Sequence, residues 1–334
     1  MDYKAPPPDI DEPPQMDLSM LRNRAASFAR NARATATDAA YQSDWADFVP
    51  WCEGKGLSSL PASPETVALY LSDRAHTLKT STLQRRLAAI VVIHHREGHP
   101  FDSRAPVLAE VWRGIRRSKG VEKVGKAPLL QEDLKGIVDC LPRNLAGKRD
   151  RALLLLGFSG AFRRSELAGL DVEDLTFTSK GMVVRLHRQK NDQEGKGSLK
   201  AIPRDQDGEE GAVAAVKDWI MSAYLNEGPL FRAIDRLGRL GAEHLDGRSV
   251  ARIVKKAVST YGEKQGWSHR RVAEEVKRVA GHSLRSGYAT SAAISGVPEW
   301  AIMRQTGHRR RDSLQPYIRL GAAIRAATTD RNTP

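Results

Sequence analysis

Between Ser118 and Leu129 the chain runs GVEKVGKAP, a stretch short of large apolar side chains and bounded by glycine and proline. Such a stretch adds little to a hydrophobic core, so the patterned segments on either side are expected to close two separate ones. At 334 residues the chain is long enough to do so. The expected division is a leader at 1–15, a helical domain at 16–118, a linker at 119–127 and a larger domain at 128–334.

The leader, rich in proline and poor in large apolar groups, is expected to be disordered. After it the apolar residues recur at helical spacing. One helix is predicted over Leu18–Ala32, and the next starts near Thr37 and directs Tyr41, Trp45 and Phe48 to a core. Ser63-Pro64-Glu65 supplies an N-cap, a proline at the first helical position and an acid in the first turn, opening a helix through about Asp73. Ser81 precedes LQRRLAAIVVIHH, which carries the basic pair Arg85 and Arg86. A last helix from Pro106 turns Val107, Leu108, Val111 and Ile115 inward and ends in Arg116, Arg117 and Lys119.

Beyond the linker, LLQEDLKGIVDCL and RDRALLLLGFSGAFRRSELAGL read as helical segments interrupted at Ser159-Gly160. The period then changes. Leu170–Thr178, Gly181–His187 and Ser198–Pro203 contain alternating or β-branched residues separated by turn-forming ones, which predicts a small antiparallel sheet. Helices are expected again from Ala212 to the end. The fold class is therefore mainly α with a small antiparallel β-sheet: a helical front domain followed by an α+β domain.

Charge narrows the partners. With 53 Lys and Arg against 40 Asp and Glu, the formal charge is +13, which points to a polyanion such as nucleic acid, with an anionic membrane surface as the rival. No apolar run long enough to span a bilayer is present, and the acidic, proline-rich start is unlike a signal peptide, so a soluble intracellular protein is expected. Cys52 and Cys140 fit neither a disulfide framework nor a zinc pattern; a reducing compartment and no structural metal are expected.

Several polar residues have ordinary readings when taken singly. Arg163 and Glu166 at i, i+3 form a common helical ion pair, as His282 and Arg285 share a face at the same offset. Lys190 lies in the polar turn RQKNDQEGKG, where lysines are usually solvated and Lys196 competes with it. Tyr317 suits amphipathic packing beside Ile318.

Their order tells more. Arg-x-x-Glu at a helix start, a lysine in a following β-turn, Gly-His-x-x-Arg, a Gly-His turn and a tyrosine nine residues on resemble the tyrosine recombinase (phage integrase) family. The resemblance covers roughly residues 18–325. It implies that Tyr317 attacks a DNA phosphodiester, that Arg163 and Arg285 hold its non-bridging oxygens, and that His282 takes or relays the phenol proton. It further implies His308 as another donor, Lys190 (or Lys196) as general acid, and Glu166 as the group that orients Arg163. Neither a metal nor another cofactor is implied. The implied partner is double-stranded DNA with paired inverted-repeat sites, bound by a dimer per site and a homotetramer overall, in the nucleoid-associated cytoplasm. The final helix, GAAIRAATTD, would dock on a neighbouring protomer.

For DNA contact outside the cradle, the candidates are Lys79, Arg85, Arg86, Arg116 and Arg117 in the front domain, with Arg248, Arg252, Lys255 and Lys256 in GRSVARIVKKAV. Two other functions fit the same residues less fully. A type IB topoisomerase would relax DNA with a similar tyrosine, and a catalytically silent protein would use the fold for architecture alone.

Overall fold

The computed structural model describes residues 17–31, 35–120, 125–187, 197–204 and 211–329. The leader at 1–15, residues 121–124 of the linker, Lys190 and Lys196 lie outside them. The chain separates into two compact units, Met1–Lys123 and Val124–Pro334. No helix among the described residues is long and apolar enough to cross a membrane.

The first unit comprises α1 (Leu18–Asn31), α2 (Thr35–Glu53), α3 (Pro64–Arg74), α4 (Thr80–Arg96) and α5 (Pro106–Lys119). Local chemistry sets its boundaries. Ser63 Oγ accepts the Thr66 amide hydrogen at 3.2 Å, Pro64 occupies the first turn of α3, and Pro106 does the same for α5. Phe48, Cys52, Val67, Tyr70, Leu71, Leu83, Ile90, Leu108 and Ile115 make the core. Two inward assignments fail: Tyr41 is outside this cluster and Val107 is exposed. Helical spacing alone places a residue on a face without fixing how wide the buried stripe is.

In the second unit, α6 (Gln131–Asp139), α7 (Leu145–Ser159) and α8 (Arg164–Ala168) lead into β1 (Leu175–Thr178), β2 (Gly181–Leu186) and β3 (Ser198–Pro203). The sheet is antiparallel in the order β1-β2-β3, with Thr176 opposite Val183 and Val184 opposite Lys200. The first strand is shorter than its composition suggests, because Val172–Asp174 form a 3₁₀ turn in which the Asp174 carboxylate accepts from the Asp171 amide at 3.0 Å. Then come α9 (Ala212–Ser222), β4 (Arg232–Ile234), β5 (Leu240–His244), α10 (Gly247–Lys264), α11 (His269–Arg278), α12 (Ser283–Ile294), α13 (Glu299–Thr306) and α14 (Gln315–Thr329). The β4–β5 hairpin corrects the expectation of unbroken helices after Ala212. Its turn is built by Asp235, whose Oδ1 accepts from the amides of Leu237 and Arg239 at 2.8 and 2.9 Å. α7 is central, packing on α9 and α12, and contributes Leu153, Leu154 and Leu156 to a core shared with Phe162, Val184, Trp219, Phe231, Val254 and Leu284.

α14 is one continuous helix, and it packs along α12 of its own chain. Gly321 permits the contact: a Cβ there would lie 2.6 Å from Ala293 Cβ and 2.9 Å from the Thr290 carbonyl. Gly321→Ala is expected to lower stability by about 1–3 kcal/mol through overpacking, read as a reduced urea midpoint at constant slope. An unchanged midpoint would mean that α14 does not rest on α12 in solution.

Candidate active site

The turn after α7 begins the site. Gly160 ends the helix, Ala161 takes a positive φ of 46°, and Arg163 stands at the N-cap of α8. Glu166, in the first turn of α8 and buried, accepts from the Arg163 amide at 2.8 Å and from Arg163 Nη1 at 2.5 Å. Nη2 reaches the Gly307 carbonyl at 3.4 Å, which fixes the guanidinium between α8 and the end of α13. This exceeds a surface ion pair in definition, because the side chain of one arginine and its own backbone are held by the same carboxylate.

α12 provides the next pair. His282 occupies its N-cap position and Arg285 its first turn, so the i, i+3 offset brings both to one end of the helix. Arg285 is 2% exposed, and its Nη1 donates to the Ala161 carbonyl at 2.9 Å. Burial, then the charge of Arg163, lowers its pKa to about 10. His282, open to solvent on one side, has its pKa lowered by desolvation and then by Arg285 and Arg163, so it is neutral near pH 7.

The C-terminal segment closes the cluster. Gly307, with φ 65°, ends α13 in the left-handed conformation and turns His308 inward. Tyr317 lies in the first turn of α14, its amide bonded to the Leu314 carbonyl at 3.0 Å. Its Oη lies 3.2 Å from His282 Nε2, and its ring stacks at 6.3 Å on that of His308. Burial raises the Tyr317 pKa, opposed by Arg285. The phenol therefore needs a proton acceptor, and a neutral imidazole stands within reach. His308 is pushed down to about 4, first by burial and then by Arg285, Arg163, His282 and Lys200.

Lys200 is the participant that sequence reasoning missed. It is 4% exposed on the inner face of β3, beside Ile202. Its Nζ donates to the Gly160 carbonyl at 2.6 Å and to the Gln305 carbonyl, and lies 5.0 Å from the centroid of the Phe162 ring. Gln305 Nε2 donates in turn to the carbonyls of Ser159 and Ala201 at 2.9 and 3.2 Å. Lys200 and Gln305 thus tie the turn before Arg163, the strand and the segment before His308 to one another. Desolvation brings the Lys200 pKa down to about 7, with Arg285 and Arg163 acting in the same sense and Glu166 against them. The sequence signal was the two-residue period that sets Lys200 on the same face as Ile202.

The remaining candidates separate by surroundings. Lys190 and Lys196 lie outside the described residues. Lys79 is exposed at the N-cap of α4, and Arg85 pairs with Asp44 at 3.2 Å. Arg86 is held within the first unit: its Nη1 donates to Asp47 and Tyr70, with Asp47 also holding Arg74 at 3.0 Å. Arg116 and Arg117 are exposed and line a groove with Arg104, Arg113, Trp112 and Leu87. On α10, Arg248, Arg252 and Lys256 are exposed and Lys255 is half-buried, opposite the apolar face of Val250, Val254 and Val258.

Mutual repulsion among the cations is relieved by an anion placed between them, and the arginine forks suit the oxygens of a phosphate. With a tyrosine at their edge and a neutral histidine beside it, the class defined is that of enzymes that exchange phosphodiester bonds through a tyrosine. Comparison with known proteins agrees. Residues 128–323 match the phage integrase family. An integrase/recombinase xerD homolog of Selenomonas ruminantium is 40% identical over 305 residues, which is 90% of this chain and 86% of that protein. Recombinase cre of Escherichia phage P1 is 26% identical over 290 residues, 80% of this chain and 79% of that protein. Among solved structures, a lambda integrase dimer bound to a COC′ core site superposes with a TM-score of 0.57 at 15% identity, over 90% of this chain and 94% of that one, a likeness of fold. This chain belongs to the phage integrase family and is a tyrosine recombinase, an enzyme of DNA strand cleavage and rejoining.

Proposed function

We propose that this chain recombines DNA at specific paired sites, with Tyr317 as its nucleophile. Oη attacks phosphorus while the P–O5′ bond breaks, leaving a 3′-phosphotyrosyl link and a 5′-hydroxyl. The phenol proton passes to His282, and a lysine protonates the departing oxygen. The new ester conserves the energy of the one broken, so rejoining needs no nucleotide cofactor. Arg163 and Arg285 stabilise the charge that grows on the non-bridging oxygens, with Glu166 and Lys200 holding the cradle in shape. The observation that carries the reading is the 3.2 Å approach of His282 Nε2 to Tyr317 Oη beside the buried Arg285.

The rest of the proposal concerns assembly and substrate. The DNA carries inverted-repeat half-sites, each site holds a dimer, and two sites join in a homotetramer in the cytoplasm. The net charge of +13 and the exposed Lys79, Arg116, Arg117, Arg248, Arg252 and Lys256 support phosphate contact over a longer tract. To test this, purified protein is incubated with its flanking DNA carrying two inverted-repeat sites. Exchanged products are expected; relaxation of supercoils without exchange would assign a type IB topoisomerase activity instead.

Lys190 is the proposed general acid. A substrate with sulfur at the 5′-bridging position releases a thiolate that needs no proton. Lys190→Ala is expected to cleave an ordinary substrate at least about a hundredfold more slowly and to recover on the sulfur substrate. Recovery by Lys196→Ala instead would transfer the role.

A further inference from the structure

The ring of His308 is held from behind by Thr306. Thr306 is fully buried, and its Oγ1 lies 2.7 Å from the Ile302 carbonyl, 3.3 Å from the Met303 carbonyl and 2.8 Å from His308 Nδ1. A hydroxyl has one hydrogen to give, and a carbonyl oxygen can only accept. The hydrogen is therefore directed to a carbonyl of α13, and Oγ1 has only a lone pair for the imidazole. Nδ1 must carry the hydrogen of that bond.

This settles what the other ring nitrogen can do. With Nδ1 protonated, Nε2 of the neutral ring holds a lone pair and cannot donate to a phosphate oxygen. Around the ring stand Arg285 and His282 of α12, Arg163 before α8, Lys200 of β3 and the Tyr317 phenol of α14. The cations among them disfavour a further proton, in line with the lowered pKa of about 4. A phosphate anion among those groups reverses the balance. One proton taken from solvent then makes Nε2 a donor, while the same Thr306 lone pair continues to accept the Nδ1–H of the imidazolium.

We propose that Thr306 is a positioning residue that fixes His308 as the Nδ1–H tautomer, so that His308 donates to the scissile phosphate only after Nε2 takes up a proton. The inference rests on the reading of the cluster as a phosphate site, and its first test does not depend on DNA. In protein labelled with ¹⁵N-histidine, with His308 assigned by its loss in His308→Gln, the neutral ring should show a protonated Nδ1 and a pyridine-type Nε2. The opposite pattern would overturn the proposal.

The second test uses variants. Thr306→Val keeps the shape and removes the lone pair, and should slow single-turnover cleavage by about tenfold or more, with DNA affinity within about twofold of wild type. Thr306→Ser restores the oxygen and should cleave within about threefold of wild type. Thr306→Val cleaving like wild type, Thr306→Ser being as slow as Thr306→Val, or DNA binding falling in step with cleavage would each overturn the proposal. Should the valine protein fail to fold, the wild-type tautomer and the serine variant still decide it. Adducts that persist in Tyr317→Phe would instead reject Tyr317 as the nucleophile of the proposed function while leaving the tautomer result intact.

Discussion

Tyr317→Phe is expected to bind its DNA site with affinity within about twofold of wild type and to form no covalent adduct, a loss of at least about ten-thousandfold in cleavage. The substitution removes a single oxygen. The ring stays in the cluster of Ala289, Ala292, Ile302 and Leu314 and keeps its stacking partner His308. Only the bond to His282 is lost, worth about 1 kcal/mol or less at this exposed position. Binding comes from phosphate contacts that the phenol does not make, so affinity and cleavage should part completely. A gel-shift titration and a denaturing gel for the adduct measure the two. Weakened binding in parallel with cleavage would show that loss of the hydroxyl has disturbed the docking of α14, and the adduct result would then not bear on the nucleophile.

Arg163→Lys should produce the next largest effect, a fall of about a hundredfold to a thousandfold in single-turnover cleavage. Charge is preserved, so DNA affinity should change by less than about threefold. Shape is not preserved. Arg163 bonds Glu166 through Nη1 and the Gly307 carbonyl through Nη2, and a single ammonium cannot span both while also offering a fork to phosphate. Loss of the Gly307 bond also frees the turn that carries His308. Cleavage within about threefold of wild type would show that the fork is dispensable and would remove Arg163 from the phosphate contacts.

Features fixed by neighbours in sequence were the legible ones. Ser63-Pro64 marks the start of α3 because the cap and the proline act within one turn. His282 and Arg285 could be paired because three helical residues bring them to one face. The change of period at Leu170–Pro203 exposed the sheet, although the Asp171–Asp174 cap shortened its first strand. Where partners are distant, the sequence did not show them. Lys200 looks like a solvated strand residue until the carbonyls of Gly160 and Gln305, 40 and 105 positions away, receive its hydrogens. Arg86 looks as free as Arg85 until Asp47, 39 positions upstream, takes its guanidinium. The β4–β5 hairpin is too short for its alternation to stand out against the surrounding helical pattern. α14 reads as a weak helix in need of a partner, and the partner it finds here, α12, is disclosed by the clearance at Gly321 rather than by any pattern in its own residues.

The attachment point of DNA tests the central claim most directly. A substrate nicked so that its short 5′-hydroxyl fragment diffuses away would trap the covalent complex; protease digestion and mass spectrometry would then locate the linked peptide and the DNA end it carries. The expected product is a peptide containing Tyr317 with the phosphate ester on its phenol and the DNA joined through a 3′-phosphate. DNA attached to any other residue, or joined through a 5′-phosphate, would contradict the account.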